Sequence, residues 1–347
     1  MAQNGETKQE LSDVLDVNLY SRQIYALGQT AMFRLRSANV LVSGIGSVGV
    51  EVAKNLVLGG VRHVTLHDTK NVSWNDLSAQ YYLHEDDIGK NRADACFSKI
   101  EELNDSVTCS LSTEPLTHDL IKKFNVIVLT DSDILFIYVD IAGLFGYVFA
   151  DLGDAFRIDD VDGEPPKEVW LENINTTNGD VPTLDGALHG LETDKSVFNI
   201  GDVAVNFGEY TEGGRAKQVK MPFEVKYKSL EESITNPTFL EWDFMKFESP
   251  SQLHTLFQAL YKNEQQRGNR PTPYALNDSN DFGSNLVSEV PEEFRRLFAY
   301  TSCGNLQPLA SIVGGISAQE AVKAITHHTT PLNGFLYIDN VEWIPLH

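Results

Sequence analysis

At 347 residues, with 42% hydrophobic and 22% charged residues, the chain is long enough for two compact units, or for one with large insertions. Its 49 Asp and Glu against 27 Lys and Arg give a formal net charge of -22, which repels nucleic acid and anionic membrane and leaves a protein as the expected partner. Three scattered cysteines, Cys96, Cys109 and Cys303, contain no Cys-x-x-Cys pair, so they exclude a zinc ribbon or disulfide framework and fit a reducing compartment.

The opening residues are polar and acidic, unlike a secretory signal. The longest apolar run, residues 135–150, carries Asp140 and is too short for a comfortable membrane span, so it reads as buried strands. Over residues 19–36, Ile24, Leu27, Ala31 and Leu35 share one helical face. A strand is predicted at 39–43, then a glycine turn at Gly44, Gly46 and Gly49. A helix carrying Val48, Val52 and Leu56 follows and closes at Gly59-Gly60. Residues 63–67 form the next strand and end in Asp68. Helical spacing returns at Ala93, Cys96, Ile100 and Leu103, and strands follow at 107–111, 125–130 and 136–141. Alternating strand and helix predicts an α/β fold with a parallel sheet covered on both faces.

From Asp151 the pattern changes. Asp151, Asp154, Asp159, Asp160, Asp162 and Glu164 cluster, Pro165-Pro166 follow, and short β-like pieces run to Pro222, which predicts an inserted β module. Residues 229–303 read as helical, with Ser249 as N-cap before Pro250, and Pro291 to Tyr300 as a second helix. Phe239, Trp242, Phe244 and Phe247 read as a core seam, residues 263–285 as a loop, 318–325 as a helix and 334–339 as a strand. His327-His328 would not converge on one metal ion and reads as a helix end on the surface.

Gly44-x-Gly46-x-x-Gly49 between a strand and a helix, with Asp68 at the end of the next strand, has the layout of a nucleotide-binding turn. Glycines admit close backbone approach, the helix start favours phosphate, and the carboxylate accepts from ribose hydroxyls. The same glycines would also serve helix–sheet packing alone, and the residues by themselves do not choose. Read alone, the turn also allows an NAD-dependent oxidoreductase, although no Tyr-x-x-x-Lys pair or poised His–Asp arrangement accompanies it.

YSRQIYALGQTAMFRL, VLVSGIGSVGVEVAKNLVLGGV, VTLHD, DLSAQYYL and EDDIGKNRAD resemble the first adenylation repeat of ubiquitin-activating enzymes, of the ThiF/MoeB-type Rossmann-like fold. GNLQPLASIVGGISAQEAVKAITHHTTPLNGFLYID resembles the close of that repeat. GLFGYVFADLG with the acidic module resembles the first catalytic-cysteine half-domain, and residues 228–260 resemble the four-helix insertion. The implied architecture is a doubly wound domain with a small β insertion and a helical insertion: 1–156 and 304–347 form the adenylation domain, 157–226 the β module and 227–303 the helices.

The resemblance implies a half without chemistry of its own. Adenylation needs positive charge around ATP, a Mg²⁺ ligand and a fixed ribose. Active members carry an arginine where this chain has Ala79, in Asp76-Leu77-Ser78-Ala79-Gln80, and a lysine where it has Arg92, which keeps the charge in a different shape. Gly44, Gly46, Gly49, Asp68 and Arg92 are thus expected as a vestigial cofactor site, with Asp131 at the family's Mg²⁺-ligating position. No cysteine stands in a thioester-site context. The resemblance implies that ATP and Mg²⁺ act at a partner active adenylation repeat, toward which Arg22 reaches in trans as an arginine finger; its ordinary alternative is a helix-start pairing with Asp16. Ubiquitin or a ubiquitin-like protein is the other implied partner, met by the acidic 151–164 stretch, in the cytoplasm and nucleus. The smaller subunit of a SUMO- or NEDD8-activating heterodimer is the alternative.

Three segments look short against the family: the crossover between Thr130 and the strand at 136–141, the β module near Lys195, and the helical insertion near Ser279. Parallel neighbours joined so briefly are expected either to stop pairing or to damage the sheet. The chain is also expected to carry only one adenylation repeat, without the active repeat, catalytic-cysteine domain or ubiquitin-fold domain.

Overall fold

Short aliphatic and β-branched runs become strands, as their composition favours. They are β1 (Asn39–Ser43), β2 (His63–His67), β3 (Thr108–Ser112), β4 (Val126–Leu129), β5 (Ile137–Ala142), β6 (Phe145–Ala150) and β7 (Gly334–Asp339). In this computed structural model they form one sheet in the order β7-β6-β5-β4-β1-β2-β3. The structure describes residues 16–130, 137–164, 220–241, 243, 245–275 and 282–343, with the backbone of short strands at 168–170, 192–194, 197–198 and 215–217. Pairing is parallel from β3 to β5 and antiparallel for β5–β6 and β6–β7. The expected α/β, Rossmann-like arrangement is what the chain adopts.

The sheet solves the short crossover by offset. β4 and β5 do pair in parallel, but only through Val128↔Ile137 and Leu129↔Tyr138, so β5 starts near the end of β4 and continues past it. The chain need not retrace the length of a strand, which is what a long crossover is for. The expectation of lost pairing is thereby corrected.

Side chains alternate between two cores. Val40 and Val42 of β1 face a cluster built with α2 (Gln29–Leu35), α3 (Ser47–Gly59), α4 (Arg92–Glu101) and α7 (Gln307–Thr326). Leu41 points the other way, with Ile127 and Leu129, beneath Leu116, Ile121 and Phe124. On that second face, farther along the sheet, Phe145, Tyr147, Phe149, Phe335 and Tyr337 receive Leu253, Phe257 and Phe298 from α5 (Ser249–Arg267) and α6 (Glu292–Thr301).

Several predicted boundaries move, each for a local reason. The helix expected over 19–36 is two, α1 (Ser21–Leu27) and α2, because Gly28 between them takes φ 84. α7 begins at Gln307 rather than 318; its internal glycines weaken the helical signal, yet a Cβ on Gly314 would lie 2.6 Å from Glu51 Cβ, so packing against α3 requires the glycine. α5 continues to Arg267 and stops at left-handed Gly268, so the loop expected from 263 starts later. Ser249 is the first residue of α5 and not its cap; its Oγ donates to Asp339 at 2.7 Å. Of the expected aromatic seam, Phe239 packs against the core and Phe247 is 59% exposed, while Trp242 and Phe244 lie outside the described residues.

The β module enters and leaves through an antiparallel pair, Phe156–Ile158 with Phe223–Val225. Most of it lies outside the described residues, as do the shortened segments near Lys195 and Ser279. The aspartates at its entrance are engaged within the chain: Asp159 with Arg34 and Arg157, Asp160 and Asp162 with Lys220. His327 caps α7, stacks on Phe156 with centroids 4.9 Å apart, and His328 lies 3.6 Å from Asp160. Among the described residues no group of three His, Cys, Asp or Glu is placed to hold a metal. Also among these, no helix is long and apolar enough to cross a membrane.

Arg270 fastens the helical insertion to the sheet. Its guanidinium pairs with Asp140 of β5 at 3.0 Å and Glu264 of α5 at 2.7 Å, and donates to the carbonyls of Ile141 and Ser302. Removing one partner of a largely buried pair strands the other. Arg270→Ala is therefore expected to cost about 3 kcal/mol in urea denaturation, against under about 1 kcal/mol for an exposed surface pair.

Candidate functional site

The glycine turn joins β1 to α3 as the sequence predicts. Gly44 takes φ 90, a region that favours glycine, and a Cβ on Gly49 would lie 1.8 Å from the Gly44 carbonyl oxygen, so no other residue fits there. The Thr130 hydroxyl donates to the Gly44 carbonyl and ties the turn to the end of β4. Ser43 and His67 share a 2.8 Å hydrogen bond at the adjacent strand ends. The other His67 nitrogen, Nε2, donates to the Glu114 carbonyl, so Nδ1 accepts from the Ser43 hydroxyl.

Asp68 sits at the end of β2 as expected, but it is 3% exposed and turned inward. Its Oδ2 accepts from the Ile45 N–H at 2.7 Å and from Arg92 Nε at 2.8 Å, while Oδ1 accepts from the Lys70 N–H at 2.8 Å. Asn91 caps α4 through its side-chain oxygen and donates from Nδ2 to the Asp68 carbonyl. Arg92, the first residue of α4, is thus held beside the turn; it is 7% exposed and its Nη1 reaches Asp76 at 3.2 Å. A Cβ on Gly46 would come within 3.4 Å of that Nη1. The guanidinium lies against the backbone where α3 begins.

The 76–80 segment folds onto the same place. Asp76 opens a 3₁₀ turn and also accepts from the Ser73 backbone and hydroxyl. Ala79 is buried and offers only a single methyl. Gln80 is 1% exposed, donates to the Ile45 carbonyl and accepts from the Tyr82 N–H. Asp76 and Gln80 were not expected here as site residues. The available signal was donor count, since a buried guanidinium has five N–H donors and one carboxylate cannot accept them all.

Gly44, Gly46, Gly49, Asp68 and Arg92 therefore converge, though not as an open nucleotide site. The carboxylate expected for a ribose and the Ile45 N–H of the turn are both taken, and among the described residues two carboxylates outnumber one guanidinium. This donor set does not suit a triphosphate. Asp131 lies outside the described residues. Arg22 stands apart on α1, exposed, and among the described residues it makes no ion pair; Asp16 accepts instead from the Asn18 and Leu19 N–H groups.

Residues 20–141 match the ThiF family, and residues 221–286 match the ubiquitin-activating enzyme E1 four-helix bundle. The chain is 37% identical over 396 residues to ubiquitin-like modifier-activating enzyme 1 of Oryctolagus cuniculus and 36% identical to that of Homo sapiens, each alignment covering 99% of this chain. It belongs to the ubiquitin-activating enzyme family. Ubiquitin-activating enzyme E1 1 of Triticum aestivum is 35% identical over 415 residues, again across 99% of the chain. The chain spans only 37% of the length of the rabbit and human relatives and 39% of the wheat one. A solved structure, Escherichia coli MccB with MccA-N7isoASN, covers 94% of this chain and 69% of its own at 13% identity and TM-score 0.43, too remote to carry weight.

Cys96 stands one helical turn after Arg92 on α4, its Sγ 3.3 Å from the Arg92 carbonyl oxygen, while Cys109 lies on β3. Cys96 and Cys109 are buried, and burial pushes their thiols up to about 12 and about 11, so neither forms a thiolate near neutral pH. Cys303 is exposed. Iodoacetamide at neutral pH is expected to label Cys303 in the native chain and to reach Cys96 and Cys109 only after unfolding, as peptide mass spectrometry would read. Native labelling of Cys96 would contradict the structure.

Proposed function

We propose that this chain is the non-catalytic adenylation half of a ubiquitin-activating enzyme, supporting ubiquitin adenylation by an active adenylation repeat with which it pairs. The observation that carries this reading is the internal pairing of Asp68 with Arg92 at the glycine turn, beside a buried Ala79 that offers no cation. Losing one donor to the transition state costs about a hundredfold or more in rate, and here the machinery is short of several.

ATP and Mg²⁺ act at the active repeat. Arg22 is the residue this half contributes there, neutralising phosphate charge across the interface. Its setting supports the assignment: Val17 is 55% exposed, Leu19 60% and Tyr25 94%, an apolar surface around a cation that makes no ion pair among the described residues, which suits burial against a second protein. Ubiquitin is the second partner, contacted through the β module. Because Asp159, Asp160 and Asp162 are already paired with Arg34, Arg157 and Lys220, the acidic entrance contributes less charge to that contact than its sequence implies. The enzyme so formed works in the cytoplasm and nucleus.

The test is pyrophosphate exchange with ATP and ubiquitin. The chain alone is expected to show none, and an active repeat supplied in trans is expected to restore it. Arg22→Ala in that mixture should lower exchange about a hundredfold, the scale of one lost transition-state cation. Exchange by the isolated chain would end the reading, and unchanged exchange with Arg22→Ala would remove that residue from it.

A further inference from the structure

We propose that Arg92 is a built-in plug, filling from within the chain the place that a ribose-phosphate would take at the 44–49 turn. The inference rests on the reading above and adds the device that keeps this half free of nucleotide. Three observations carry it. First, Arg92 Nε donates to the Asp68 oxygen that also receives the Ile45 N–H, so the acceptor a ribose diol would need is already served by an internal donor. Second, the guanidinium lies against Gly46 at the start of α3, the point where a helix would present its N–H groups and dipole to a phosphate.

Third, a cation at that point is on the unfavourable end of the helix dipole. Asp68 at 2.8 Å and Asp76 at 3.2 Å compensate, the first buried with it and the second partly exposed. Among the described residues the two carboxylates take up the guanidinium's charge, leaving none of it for an approaching phosphate. An arginine that served to bind phosphate would be directed outward with its charge uncommitted. Arg92 is 7% exposed and committed to two carboxylates. It acts as an internal substitute for the ligand, holding the turn in shape.

Calorimetry with adenosine and with AMP on the full chain tests this. The native chain should bind neither at millimolar concentration. Arg92→Ala combined with Asp76→Asn removes one charge of each sign and leaves Asp68 bare. That variant should bind AMP at least about tenfold more tightly than the native chain, and adding Asp68→Asn should abolish the gain. A circular-dichroism melt confirms folding. A folded double variant that gains nothing overturns the plug, as does AMP binding by the native chain. If the double variant does not fold, Arg92→Lys, which keeps the charge without the fork, takes its place and should show a smaller gain. If neither folds, the native titration decides: binding of AMP refutes the plug and silence upholds it. AMP binding without pyrophosphate exchange would sink the plug alone, whereas exchange would sink the proposed function.

Discussion

Arg92 Nε and the Ile45 N–H converge on one oxygen of Asp68, and that convergence sets the geometry of the N-terminal half. Through it the end of β2, the turn before α3 and the first residue of α4 are held at fixed separation. Asp76 and Gln80 extend the lock to the 76–80 segment. In a low-dielectric interior each of these polar groups would be costly if unpaired, so the cluster persists only as a complete set. The chemistry of a nucleotide site and the architecture of a stable interior therefore compete here for the same carboxylate, and the interior has it.

The parts of the fold that depend on local pattern were legible in the sequence. Alternating aliphatic strands, the Gly44–Gly49 turn and the order of strand and helix all follow from periodicity and glycine placement, and they emerge nearly where expected. What stayed hidden depends on distant partners. Gly314 lowers the helical signal of α7 because the sequence does not show Glu51 packed against it. Ser249 looks like a cap until Asp339 from the last strand claims its hydroxyl. At the candidate site, Asp68 and Arg92 were recognisable as residues, while their direction was not: a carboxylate at a strand end can face a ligand or an arginine equally well. Asp76 carried no signal except the several N–H donors that a buried guanidinium must place.

Family membership and economy of length fit together physically. The alignment with the rabbit relative runs over 396 positions against 347 residues here, so at least 49 of its positions (396 − 347) have no counterpart in this chain. The offset of β4 and β5 shows how such shortening is tolerated within a sheet. Two residue pairs preserve the parallel ladder, and β5 draws its remaining partners from β6 on its other side.

α3 and α7 lie far apart in the chain, and this has a consequence during synthesis. Gln307 donates to Glu51 across 256 residues, Ser311 joins the same carboxylate, and Gly314 admits the backbone of α3. At a translation rate of about 5–20 residues per second, the flank of α3 waits roughly 13 to 50 s on the ribosome for its cover. Throughout that interval Val48, Val52 and Leu56 belong to an incomplete core. The nascent N-terminal half is thus a client for whatever shields apolar surface at the tunnel exit, and it becomes self-sufficient only once residues 307–326 have emerged.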